Sequence, residues 1–235
     1  VEATAVGTFT DSGAFIVKHG ESTVAHLPMD FMHDGCPQLK LESEWKPPVH
    51  PSPIYPDVDA HGMGEILERI MGRPNIASKE WWVRQYDHEV IAQSVIKPFC
   101  GVNHDAPGDA AVIAPLHGET RGAVVSCGIV PRYSDIDAYA MTAASIDEAV
   151  RNAVCVGVDL DKIAGLDNFC WPDPIESEKT PDGRYKLAQL VRSNRALDDV
   201  CRAYNLPCIS GKDSMKNDAK LDGQKISIPP TLLYT

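Results

Sequence analysis

Pro207-Cys-Ile-Ser-Gly-Lys-Asp-Ser-Met-Lys-Asn-Asp218 carries a short apolar run into a glycine, then into small, basic and acidic side chains. A strand entering such a turn leaves backbone N–H groups open to a phosphate, with Lys and Asp at hand for charge and metal. The P-loop spacing, Gly-x4-Gly-Lys-Ser/Thr, is absent. An ordinary polar turn reads the same way. The stretch gains meaning from two partners upstream, Asp105-Ala-Pro-Gly-Asp-Ala-Ala-Val112 and Gly165-Leu-Asp-Asn-Phe-Cys-Trp-Pro172.

Working outward, the spacing predicts a helix over 185–204, with Leu187, Leu190, Val191, Leu197, Val200 and Cys201 on its inner face. Ser145-Ile-Asp-Glu148 reads as a capping box opening a second helix. Ile146, Ala149, Val150 and Ala153 then share one face, and Gly157 stands where a C-cap glycine belongs. Strands are expected at 90–96, 110–114, 122–126, 158–164 and 207–210. Residues 43–60, with five prolines, read as an extended linker. A short helix is expected at 64–71 and another from 79 to 86, the latter placing one of Trp81 and Trp82 in the core. Residues 1–35 alternate in patches at 5–9, 14–17 and 23–27, the pattern of a β meander. The fold class is therefore α/β (α+β), preceded by a few strands too few to stand alone. The expected division is 1–45, a linker with a short helix at 46–75, and an α/β domain over 76–235. The first and last residues read as cuts through a longer protein.

Composition excludes several classes. The 235 residues carry 22 Lys+Arg against 33 Asp+Glu, a net charge of −11, which argues against nonspecific nucleic-acid or anionic-membrane binding. No apolar run approaches the ~20 residues of a membrane span. Seven cysteines without a CxxC read as reduced thiols of a cytoplasmic protein, with Cys127, Cys155, Cys201 and Cys208 expected to be buried. The eight histidines lack metal spacing, including His88 beside Glu89.

Asp105 and Asp109 flank Pro107-Gly108 on a turn, as Mg²⁺ ligands for a nucleotide can, although an Asx turn would use them too. Asp167 and Asn168 lie where an expected parallel strand ends, the place α/β folds keep for ligands. Lys212 can meet a phosphate as a point charge, beside Asp213. A solvated Lys212–Asp213 surface pair is the alternative.

Five stretches together resemble a known family. They are Leu27-Pro-Met-Asp-Phe-Met-His-Asp-Gly35, the Gly108-Asp109 of PGDAAVI, Ala149-Val-Arg-Asn-Ala-Val-Cys-Val-Gly157, LDNFCWPDP at 166–174 and SGKDS at 210–214. In this order they resemble the phosphoribosylformylglycinamidine synthase branch of the aminoimidazole ribonucleotide synthetase superfamily. The resemblance implies the N-type domain of a second repeat, a mixed sheet with helices and barrel-forming strands. It implies an ATP- and Mg²⁺-dependent ligase that amidates formylglycinamide ribonucleotide with ammonia from a glutaminase partner. It implies a nucleotide contact at Gly211 and a substrate-phosphate contact at Ser214. Two departures weigh against full activity: many members place a metal-binding Asn where Lys212 stands, and Gly165 replaces the first Asp of the family's Asp-Cys-Leu-Asn-Phe. A relative of the selenophosphate synthetase or thiamine-phosphate kinase type, or a nucleotide-binding half without catalysis, remains open. The isolated chain is expected to be inactive and to form a homodimer through the sheet that would otherwise meet its missing repeat.

Overall fold

The computed structural model describes residues 2–55, 57–85 and 90–235. The chain divides into two compact units, residues 1–41 and 42–235. In the first, β1 (Ala14–His19) and β2 (Ser22–Pro28) form an antiparallel hairpin. Gly20 supplies the positive φ of +61° that its tight turn requires. A short helix, α1 (Met29–Asp34), follows and buries none of its residues. The strand expected at 5–9 does not form.

In the second unit, α2 (Ala60–Met71) starts four residues before the expected helix, because the Asp59 carboxylate accepts from the Gly62 N–H at 2.8 Å. The next helix, α3 (Glu80–Val83), is a single turn. Trp81 and Trp82 are both exposed and meet edge to face at 4.6 Å, so neither is a core residue. The end expected for this helix at 86, and the His88–Glu89 pair, lie outside the described residues. There follow β3 (Ser94–Ile96), β4 (Phe99–Cys100), β5 (Ala106–Pro107), β6 (Ala110–Ile113) and β7 (Ala123–Ser126). The rest is α4 (Ala138–Cys155), β8 (Gly165–Cys170), α5 (Gly183–Ala203), β9 (Cys208–Ser214), β10 (Asp218–Leu221), β11 (Gln224–Ser227) and β12 (Thr231–Tyr234).

Two three-stranded sheets, in the orders β3-β6-β7 and β12-β8-β9, carry the architecture. All neighbours are antiparallel except β8 and β9. Just beyond β7, Gly128 exchanges both backbone hydrogen bonds with Tyr234 of β12, at 2.8 and 3.0 Å, and so joins the two halves. Helices α4 and α5 pack on one face. The core there joins Met141, Ile146, Ala149 and Val150 of α4 to Phe169, Trp171, Leu232 and Tyr234. Burying such side chains contributes roughly 1.5–3 kcal/mol each.

The helices correct the capping-box reading. Helix α4 begins at Ala138, where the Asp137 carboxylate accepts from the Tyr139 and Ala140 N–H groups. Ser145 is inside the helix, donating to the Met141 carbonyl, and Glu148 accepts from the Ile129 N–H instead. The apolar face of Ile146, Ala149, Val150 and Ala153 is buried as expected, and Gly157 follows the helix end at φ +95°. Helix α5 is two residues off its expected start, but its buried positions are small or polar: Gly183, Ala188, Gln189, Ser193, Ala196 and Cys201. Val191 is exposed. Small residues let α5 lie close to α4, where Thr142 and Ser193 meet hydroxyl to hydroxyl, both fully buried. Of the four cysteines expected to be buried, only Cys201 is; Cys127, Cys155 and Cys208 are exposed.

The proline-rich segment is held against the second unit near its start. Trp45 stacks on Tyr185 of α5 with centroids 5.4 Å apart, and the Arg192 guanidinium lies 4.2 Å over the Trp45 ring. Arg192 also pairs with Asp137 at 2.5 Å.

Thr142→Val leaves the buried Ser193 hydroxyl without its partner, so it is expected to cost about 1–3 kcal/mol in urea unfolding. Adding Ser193→Ala should recover part of that loss, giving a non-additive double-mutant cycle.

Candidate functional site at the β8 and β9 edge

The chain brings its two most suggestive stretches side by side. In the parallel β8–β9 pair, Asp167 stands against Gly211, Asn168 against Lys212, Phe169 against Asp213 and Cys170 against Ser214. Two sequence readings change. Strand β8 runs 165–170 and not 158–164, where a 3-10 turn at Leu160–Lys162 stands instead. Strand β9 runs through Ser214, so SGKDS is strand and not turn.

Being strand, these residues alternate between faces. Phe169 and Tyr234 belong to the core beneath the helices, which assigns Asp167, Gly211 and Asp213 to that same face by register. Asn168, Lys212 and Ser214 fall on the opposite, open face, where Lys212 Nζ contacts Ser214 Oγ. The residues expected to form one nucleotide cluster are thus split into a carboxylate pair on one face and a polar, cationic group on the other.

Gly211 is not in the left-handed region. Space, not φ, distinguishes the position: a side chain there would push the Asp167 carboxylate aside. A Cβ would lie 2.6 and 2.7 Å from the two carboxylate oxygens of Asp167. The Asp167 carboxyl is held above its ordinary range, first by burial and then by the negative charge of Asp213, with a bond to its own backbone N–H opposing. At Gly165, a Cβ would overlap the Tyr234 hydroxyl, and a larger residue there would displace the phenol.

The carboxyl ends of β8 and β9 are braced together. The Trp171 N–H donates to the Ser214 carbonyl at 2.8 Å, and the indole N–H donates to the Lys186 carbonyl at 3.0 Å. Asn217 closes the corner, its backbone N–H donating to Trp171 O and its side chain to Ser214 O, each at 3.0 Å. This is the strand end at which α/β sheets place ligands.

Asp105 and Asp109 bracket β5, which pairs with β4 in a separate two-stranded sheet, and both are exposed. Burial raises the Cys127 thiol, with the negative charges of Asp109 and then Glu148 adding to it. No three or more His, Cys, Asp or Glu side chains are arranged to hold a metal among the described residues. Asp167 and Asp213 are an all-oxygen donor pair of the kind Mg²⁺ completes with water. A cavity of about 550 Å³ lies between β7, α4 and the end of β12, lined by Val124, Ala149, Ala153, Ile163, Leu166 and Thr235. It includes none of the expected site residues. No helix among the described residues is long and apolar enough to cross a membrane.

A mixed α/β sheet with helices on one face and a polar strand end fits a nucleotide-handling domain. The AIR synthase related protein, N-terminal domain, matches residues 107–228, just over half the chain, and the chain belongs to that family. It is 32% identical over 233 residues to the phosphoribosylformylglycinamidine synthase subunit PurL of Ignicoccus hospitalis, covering 98% of this chain and 30% of that protein. To the PurL of Methanopyrus kandleri it is 31% identical, covering 95% and 28%. The chain spans less than a third of these relatives' length. Among solved structures, PurLQS from Thermotoga maritima aligns with a TM-score of 0.63 at 20% identity, covering 96% of this chain and 31% of that one. T. maritima PurL complexed with ADP aligns at 0.60 and 20%, covering 95% and 31%. These last likenesses concern the fold.

The carboxyl of Asp167 predicts a pH signature. Its folded-state pKa is raised, so the native state binds the proton more tightly than the unfolded chain does, and this residue's contribution to stability falls as pH rises from the unfolded value through the folded one. Asp167→Asn should therefore gain stability over wild type near neutral pH. That gain should vanish in acid below the ordinary Asp range, as read by urea unfolding at several pH values.

Proposed function

We propose that this chain forms a nucleotide-binding part of a PurL-type synthetase, in which ATP drives amidation of formylglycinamide ribonucleotide with ammonia from a glutaminase. The observation that carries this reading is the register placing Asp167–Cys170 beside Gly211–Ser214 at a braced parallel strand end. Relatives named PurL match nearly the whole chain, and related structures are complexes of PurL with ADP, ATP and FGAR.

On the open face, Lys212 and Asn168 meet nucleotide phosphate, and Ser214 takes the substrate phosphate. Lys212 acts as a compact point charge. Asp167 and Asp213 orient the other side of the same strands, and Gly211 makes room for the Asp167 carboxylate. Asp105 and Asp109 hold Mg²⁺. When bound, Mg²⁺ neutralises charge on the phosphates. The Gly165 and Lys212 departures leave room for a half that binds nucleotide without catalysis.

The open sheet face also supports pairing. Ile113 and Val125 alternate away from Ser126, which donates to the Ala149 carbonyl on the helix side, and they are 40% and 52% exposed. A second copy of this chain would cover them.

Calorimetric titration with Mg-ATP and Mg-ADP tests the nucleotide reading. Binding is expected for wild type, weakened about tenfold (~1.4 kcal/mol) in Lys212→Ala and lost in Gly211→Val. Equal binding by all three proteins would overturn the assignment. The chain alone should show no ammonia-dependent turnover and should sediment as a dimer at tens of micromolar. A monomer would remove the pairing proposal while leaving the nucleotide site standing.

A further inference from the structure

Beside the carboxylate pair lies a group the nucleotide reading does not use. Cys201 sits in the last turn of α5 and Cys208 opens β9, and their sulfurs are 3.7 Å apart. The Tyr234 hydroxyl touches both, at 3.4 Å from Cys201 and 3.5 Å from Cys208. The connection between them is short and fixed. The Leu206 N–H donates to the Cys201 carbonyl at 2.8 Å, the Pro207 carbonyl accepts from the Gly165 N–H at 2.8 Å, and Asn205 takes a left-handed turn at φ +53°. The two thiols are thus held in contact by backbone.

We propose that Cys201 and Cys208 form an oxidative modification site, in which a hydroperoxide converts the two thiols to a reversible intramolecular disulfide. The two cysteines are not equivalent. Cys208 is exposed and open to solvent, whereas Cys201 is 8% exposed. Burial is the main cause that pushes the Cys201 thiol up to about 11, so it stays protonated at neutral pH. Cys208 is therefore the sulfur that meets the oxidant. Its thiolate attacks the peroxide oxygen, the O–O bond breaks, and the products are a sulfenic acid on Cys208 and an alcohol, or water from hydrogen peroxide. The Cys201 sulfur then attacks the sulfenic sulfur. Its proton leaves with the displaced hydroxyl as a second water. Two thiols and one peroxide give one disulfide, one alcohol and one water. Bonding needs the sulfurs to close from 3.7 Å, van der Waals contact, to about 2.05 Å.

The site is coupled to the nucleotide edge by position. Cys208 lies three residues before Gly211 on the same strand, and the Asp167 carboxylate that leans on Gly211 also bears on the Cys201 thiol. A disulfide would tie the start of β9 to α5.

The test needs no variant at first. Trypsin cuts after Arg195, Arg202 and Lys212, so the two cysteines fall on separate peptides, 196–202 and 203–212. The protein is treated with hydrogen peroxide at neutral pH, its remaining thiols are alkylated, and the digest is read by mass spectrometry. The expected result is a linked 196–202/203–212 pair, two hydrogens lighter than the sum, in protein that runs as a single chain on a non-reducing denaturing gel, and abolished by dithiothreitol. In Cys201→Ser the reaction should stop at a sulfenic acid on Cys208 that dimedone traps. In Cys208→Ser, Cys201 should stay reduced. Conversion of wild-type Cys208 to sulfinic acid with no linked pair would overturn the proposal. So would linkage of either residue to a different cysteine. Failure of nucleotide binding would leave this chemistry untouched, so the two proposals fall separately.

Discussion

Two backbone hydrogen bonds between Gly128 and Tyr234 hold the architecture together. Without them there are two separate three-stranded sheets. With them, the chain just beyond β7 pairs antiparallel with β12, and α4 packs against both strands. The glycine is what permits it: a Cβ at residue 128 would come within 2.0 Å of the Ser145 carbonyl and 2.7 Å of the Ala149 N–H. The same strand partner, Tyr234, puts its hydroxyl where a Gly165 side chain would be and between two thiols. Close approach at glycines, more than apolar volume, therefore sets the spacing of helix layer and sheet.

That spacing bears on function. A glycine at 211 leaves room for a carboxylate that burial and a neighbouring charge both make uncomfortable as an anion. Groups stabilised in strained protonation states are often those that meet ligands or ions. Here that carboxylate stands on the central strand β8 against the exposed edge strand β9, beside a corner braced by Trp171 and Asn217. A rigid corner and an uneasy carboxylate on one strand pair are the ingredients of a positioned polar site.

Much of this was legible in the chain. The α5 period placed its helix to within two residues, and the α4 face of Ile146, Ala149, Val150 and Ala153 with its terminal Gly157 was plain. The start of α4 was not, because Ser145–Glu148 has the residues of a capping box while Asp137 does the capping eight residues earlier. Nor was the length of β9. SGKDS has turn residues throughout, and only the β8 ladder holds it extended. Once it is a strand, its alternate residues must part to opposite faces, a split that residue type alone gives no hint of. Burial of cysteines failed for the same reason: three of the four sit at strand or helix ends, where an apolar run meets solvent.

The Trp45 clasp has a further effect at the start of α4. Asp137 uses one carboxylate oxygen to cap that helix and the other to hold Arg192, and the indole of Trp45 lies over the guanidinium. An aromatic plate over an ion pair keeps water and counterions from one side, so dissolved salt screens that pair less than it screens an open one. A tryptophan from a proline-rich stretch, remote in sequence, thereby insulates the electrostatic anchor of a helix it does not belong to.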